Sequence, residues 1–210
     1  MFSLLDKIKW LGHASFLIEL DKIIYFDPWK IKEGLPLADI IFISHSHYDH
    51  CSPDDVKKII KKDTFIITDK TSAKNFLNYK LKIVKPTDTL NIGDIKIEVV
   101  PAYNISKPFH SKSDDNLGFI VSVMNTRIYH CGDTDFIPEM KNIKCDILLI
   151  AVSGTYVMNA KEAFNAVDSI RPKIAIPMHY GEIVGTKKDA EEFLKLCKDL
   201  PVEVKILDRS

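Results

Sequence analysis

Three histidines and an aspartate fall within six residues, at His45, His47, Asp49 and His50, directly after an apolar run over residues 39–43. Neutral imidazole nitrogen and carboxylate oxygen are the ligands that borderline divalent ions such as zinc take. In extended chain, residues two apart face the same way, so His45 and His47 can grip one ion. Asp49 and His50, where the chain turns, can face a second. The competing reading is a solvated histidine-rich loop, but so many adjacent imidazoles are costly to place without a purpose.

Further His and Asp residues repeat one placement, each following the end of an apolar strand: Asp27 after residues 23–26, Asp133 after 127–130, His179 after 174–176. Strand ends gather side chains at one edge of a sheet, where α/β proteins hold their ligands. Asp133 stands in Cys131-Gly132-Asp133-Thr134-Asp135, where the glycine lets backbone come close to a bound group. His110 differs, since it lies in a polar stretch without periodicity, residues 103–116; a loop of that length in a compact domain is usually functional. Singly, each reads equally well as a hydrogen-bonded turn or core residue. Together with the first motif they point to ligands.

The elements that must position these groups are legible in outline. Apolar runs rich in Ile, Val, Phe and Tyr at 16–20, 23–26, 40–43, 65–68, 95–100, 119–123, 147–151, 174–176 and 202–207 predict strands. Ser52 as N-cap, Pro53 at the first position, Asp54 and Asp55 in the first turn and lysines at 57–62 predict a helix. Residues 72–79, 160–170 and 187–200 predict three more. Hairpin turns are expected at residues 91–94 and at Asn125-Thr126. The first part and the middle are then antiparallel, strands and helices alternate toward the end, and sheets carry helices on their outer faces.

With 210 residues, 46% of them apolar, and no linker or tandem repeat, residues 1–210 read as one domain. Lys plus Arg and Asp plus Glu balance at 29 each, so no whole-protein field draws nucleic acid or an anionic membrane. The N-terminal ten residues lack the apolar centre of a secretory signal, and no apolar run reaches the roughly 20 residues that span a bilayer. A cytoplasmic protein is expected. Cys51, Cys131, Cys145 and Cys197 form no Cys-x-x-Cys pair and read as buried thiols.

The order His45-x-His47-x-Asp49-His50, His110, Gly132-Asp133-Thr134, His179 resembles the metallo-β-lactamase-fold hydrolases over nearly the whole chain. Gly12-His13-Ala14-Ser15, the segment from Ala102-Tyr103-Asn104 to Lys107 and His110, and Pro177-Met178-His179-Tyr180-Gly181 are similar to the small branch with ascorbate-phosphate lactonase-like and N-acyl-phosphatidylethanolamine phospholipase D-like proteins. The resemblance implies an αββα four-layer sandwich, two mixed sheets flanked by helices, with a two-metal site along one edge. It implies that His45, His47 and His110 hold the first metal, Asp49, His50 and His179 the second, and that Asp133 bridges, which the two oxygens of a carboxylate permit. His110 stands in Pro108-Phe109-His110-Ser111-Lys112, where better-known members have a His-Thr-x-Gly-His turn.

Two such ions lower the pKa of a shared water and supply hydroxide at neutral pH. No Gly-x-Ser-x-Gly elbow suggests a serine nucleophile instead. Asp49 can orient the water or take its proton. His13 reads either as proton donor to the leaving group or as a hydrogen-bond partner of a ligand carboxylate, His130 as structural, and Asp27 as an acceptor from a metal-bound imidazole. Tyr103, Lys107 and Lys112 are placed to meet an anionic small-molecule substrate.

The expected activity is hydrolysis of a phosphoester, phosphodiester or lactone. A nuclease on the same fold is the alternative, and balanced charge with no appended basic arm counts against it. From another class, a di-iron redox protein usually resembles His-x-Glu-x-Asp-His in the first motif, where this chain has His47. Zinc suits the imidazole-rich set, with manganese, nickel or iron as other occupants. A binding module that merely kept the fold typically loses ligands, and all are present here.

Overall fold

A computed structural model describes residues 4–210; residues 1–3, the start of the stretch read above for a secretory signal, lie outside the described residues. The chain falls into two compact units, one running to Val84 and including Leu207–Ser210, the other Lys85–Ile206.

The first unit holds a six-stranded mixed sheet in chain order: β1 (Ile8–Gly12), β2 (Ser15–Glu19), β3 (Ile23–Phe26), β4 (Ile40–Ile43), β5 (Phe65–Thr68) and β6 (Lys80–Ile83). β1 to β3 form an antiparallel meander, and β3 to β6 run parallel. Every residue of β4 is buried, as expected for a parallel strand covered on both faces. Between β4 and β5 stands α1 (Pro53–Ile59), whose N-cap Ser52 accepts from Asp55 N. Val56 and Ile59 of this helix pack into a core with Leu17, Tyr25, Ile41 and Ile66. The C-terminus returns to this unit, where Ser210 N donates to Trp10 O at 2.9 Å and Arg209 Nε to Leu11 O at 2.8 Å.

The second unit holds a seven-stranded mixed sheet: β7 (Thr89–Ile92), β8 (Ile95–Pro101), β9 (Leu117–Val123), β10 (Thr126–His130), β11 (Ile147–Ala151), β12 (Ile174–Met178) and β13 (Glu203–Val204). β7 to β10 are antiparallel and β10 to β13 parallel. Its helices are α2 (Ala160–Ile170) and α3 (Lys187–Cys197), each opened by a capping box, Asn159 with Glu162 and Thr186 with Asp189.

Five sequence expectations change. The first part is antiparallel only as far as β3, because crossovers long enough to return the chain in the same direction join β3 to β6. Residues 72–79 make only a 3₁₀ turn at Ser72–Asn75, because Asp69 draws in Thr71 N and Ser72 N and the chain must then straighten into β6. The second hairpin turns one residue earlier than expected, at Met124 and Asn125 (φ 48° and 60°), with Thr126 already paired to Val123. Helix α3 ends at Cys197 rather than at residue 200, and strand 202–207 shrinks to Glu203–Val204. β1, β6 and β7 do not stand out as apolar runs, because Lys9 interrupts the first and polar residues alternate through the other two. The two mixed sheets with flanking helices agree with the expected fold class.

Candidate metal centre

In the first unit the candidate ligands sit just past the ends of β1, β3 and β4. Asp27, buried after β3, accepts from Ser44 N and Ser44 Oγ at 2.7 Å each and from His50 Nδ1 at 2.8 Å. A proton held at His50 Nδ1 leaves Nε2 as the lone-pair nitrogen, the arrangement in which a carboxylate orients a metal-binding imidazole. Ser44 spends its own proton on Asp27, so its oxygen accepts from His45 Nδ1 at 2.9 Å, and His45 Nε2 is likewise the lone pair. That nitrogen lies 3.0 Å from His47 Nδ1. Two nitrogens on one tetrahedral zinc, with bonds of about 2.0–2.1 Å, lie about 3.3 Å apart, so this pair fits a shared ion.

His47 O accepts from both His50 N and Cys51 N, making the turn that brings Asp49 and His50 round. Asp49 Oδ2 lies 3.6 Å from His50 Nε2 and 2.9 Å from His13 Nε2. His13 follows β1 with φ 50°, is fully buried, and is pinned by Trp10 Nε1 donating to its carbonyl. Ligand atoms of His13, Asp49 and His50 all lie within 4.8 Å of one another. Asp27 (φ 40°) shares the left-handed backbone of His13, a conformation costly for most side chains.

In the second unit Asp133 follows β10 across Gly132, whose φ of 62° turns the chain. Asp133 Oδ2 is 3.0 Å from His179 Nε2 and 3.6 Å from His110 Nε2. His179 follows β12 with φ 63°, and its Nδ1 pairs with Ser153 Oγ at 3.1 Å. His110 is 1% exposed although it comes from the long loop, and its Nδ1 faces Asn104 Oδ1 at 3.1 Å. His130 Nδ1 accepts from Gly132 N at 3.3 Å, a structural use within the turn. Of these supports, sequence reasoning singled out Asp27 and missed the roles of Ser44, Asn104 and Ser153. A short hydroxyl or amide carries no signal until its partner, tens of positions away, is known.

Tyr103, Lys107 and Lys112 are engaged with protein groups. Tyr103 Oη donates to Glu139 at 2.8 Å, and Lys112 Nζ donates to the same carboxylate at 2.8 Å while lying over the Tyr103 ring. Burial and then Glu139 push the Tyr103 phenol upward. Lys107 is paired with Asp135 and Glu162. The cysteines carry free thiols, and burial pushes the Cys51 thiol upward despite a hydrogen bond from Asn75 Nδ2, as expected of an inert buried thiol.

Residues 7–179 match the model of the beta-lactamase superfamily domain. A UPF0173 metal-dependent hydrolase from Archaeoglobus fulgidus is 33% identical, over 96% of this chain and 95% of the relative. Among solved structures, a proposed metal-dependent hydrolase from Parabacteroides distasonis superposes with a TM-score of 0.87 at 35% identity, covering 96% of this chain and 93% of that one. Igni18, a metallo hydrolase from Ignicoccus hospitalis, shares the fold at 21% identity, with a TM-score of 0.81 and coverage of 97% and 95%.

The class so defined is the metal-dependent hydrolase of the metallo-β-lactamase superfamily. Within that class, the chain belongs to the UPF0173 metal-dependent hydrolase family. No helix of the described residues is long and apolar enough to cross a membrane.

Proposed function

We propose that this hydrolase cleaves a phosphoester, phosphodiester or lactone in a small anionic substrate, using two divalent ions, zinc by preference. His45, His47 and His110 would hold one ion and Asp49, His50 and His179 the other, with Asp133 as the carboxylate shared between them. The observation that supports this most is the fixing of ring orientation. His50, His45 and His110 each have Nδ1 engaged by Asp27, Ser44 and Asn104 respectively, so Nε2 is the nitrogen offered. An imidazole-rich set of this kind favours zinc over the harder ions that carboxylate-rich sets take.

Such ions, when bound, would supply a water made nucleophilic at neutral pH and a sink for charge on the attacking and leaving oxygens. Asp49 orients the attacking water and receives its proton. His13 donates Nε2–H to Asp49 Oδ2, which fixes the carboxylate and leaves its other oxygen for this work. Resemblance to the lactonase-like and phospholipase D-like branch supports the ester and lactone substrate classes.

Metal analysis and hydrolysis of a panel of phosphodiesters, phosphomonoesters, lactones and RNA, by wild type and Asp133→Ala, test the reading. Wild type should carry two ions per chain and hydrolyse a member of the first three classes, and Asp133→Ala should lose metal and activity together. Unchanged metal content and rate in the variant would remove Asp133 from the bridging role. Hydrolysis of RNA alone would favour the nuclease.

A further inference from the structure

The geometry points to Asn104 as the residue that positions His110, with Asp135 holding the Asn104 amide in the one orientation that makes His110 offer Nε2 to a divalent ion. This rests on the ligand role proposed above for His110. Asn104 Nδ2 faces Asp135 Oδ1 at 3.1 Å and Tyr156 O at 3.0 Å. Both partners are acceptors, so the amide nitrogen must be on that side and the oxygen on the other. There the oxygen meets two groups of His110, the backbone N–H at 3.1 Å and ring Nδ1 at 3.1 Å. An amide oxygen brings no proton, so Nδ1 must carry the hydrogen, and in the neutral ring Nε2 keeps its lone pair. The same nitrogen is the one that faces Asp133.

Asp135 is itself tied to the loop it anchors. It accepts from Ile105 N at 2.8 Å, Ser106 N at 3.4 Å and Lys107 Nζ, while Lys107 also reaches Glu162 at 3.3 Å. Asn104 N donates to His110 O at 2.7 Å, closing the base of the loop. Asn104 is 8% exposed, Asp135 4% and His110 1%, so water competes little for these bonds. The ring is thereby fixed by hydrogen bonds although His110 lies outside any strand. Lys107, expected from sequence to meet substrate, is used to neutralise Asp135.

Nitrogen-15 NMR of histidine-labelled wild-type protein, metal-free and with zinc, tests the assignment, the His110 signals being those lost in His110→Ala. The expected spectrum shows the Nδ1–H form in both states, with Nε2 shifted by zinc. An Nε2–H form overturns the proposal, and this measurement needs no Asn104 variant to fold. In Asn104→Leu, competition with a chromophoric chelator should show one zinc bound about 10- to 100-fold more weakly and the other nearly unchanged. Wild-type affinity for both ions would also overturn it. Zinc binding with the Nδ1–H form but no hydrolysis of any panel member would sink the proposed function alone; hydrolysis with an Nε2–H ring would sink only this inference.

Discussion

Asp27 gathers three donors on one buried carboxylate, and its replacement by asparagine is the sharpest test of the candidate ligands in the first unit. The amide keeps the shape but presents a donor where Ser44 Oγ and His50 Nδ1 now donate. His50 must then protonate Nε2, or its ring must turn. Asp27→Asn should weaken metal binding about 10- to 100-fold in a chelator competition. Unchanged affinity would show that His50 does not bind through Nε2. Tyr129 makes a contrasting case: its hydroxyl is buried with no hydrogen-bond partner among the described residues, and burial pushes the phenol far above its ordinary range. An unpaired buried hydroxyl costs about 1–3 kcal/mol. Tyr129→Phe should therefore leave stability unchanged or raise it by about 1 kcal/mol in urea unfolding, and a marked loss would reveal a partner for the hydroxyl. At this scale the candidate ligands were legible because imidazole and carboxylate declare their chemistry by type. Asn104 and Ser153 were not, since their importance lies in which atom of a distant residue they face.

Helix α1 shows how an element is fastened in place. Asp55 accepts from Lys30 N, Ile31 N, Ser52 Oγ and Lys58 Nζ, tying the helix start to the segment after β3. Burial acts to raise its pKa, but these hydrogen bonds, Lys58 first, outweigh it and hold the carboxyl below its ordinary value. A carboxylate depressed by folding contributes stability that is present above its unfolded pKa, about 3.9, and is lost as pH falls through the folded value. The melting-temperature gap between wild type and Asp55→Asn should thus be widest above about pH 4 and close as the solution is acidified below it. A gap independent of pH would exclude the ionised form as the stabilising one. This helix was readable from Ser52 and Pro53, and α2 and β3 to β5 to the residue, because caps and unbroken apolar runs are local signals. β6 was not, since Lys80 and Lys82 on an edge strand serve to discourage further pairing and so mimic a loop. Residues 72–79 misled for the opposite reason: a helical start at Ser72-Ala73-Lys74 yielded to Asp69 and to the need to reach the sheet.

For the whole molecule, ions bound only by the folded state stabilise it by mass action, by about 2.7 kcal/mol at a concentration 100 times the dissociation constant. Stripping with a chelator should lower the melting temperature and zinc should restore it, while equal curves with and without zinc would deny the native state any metal preference. Formal charge is zero at pH 7, so self-repulsion is weakest there, and solubility under polyethylene glycol should pass through a minimum near neutrality. One last consequence is evolutionary. His13, Asp27 and His179 occupy backbone angles that glycine and asparagine tolerate and that branched side chains resist. A descendant that abandons hydrolysis therefore has few comfortable exits at these three places, and its decay should be written in glycine and asparagine rather than valine or isoleucine.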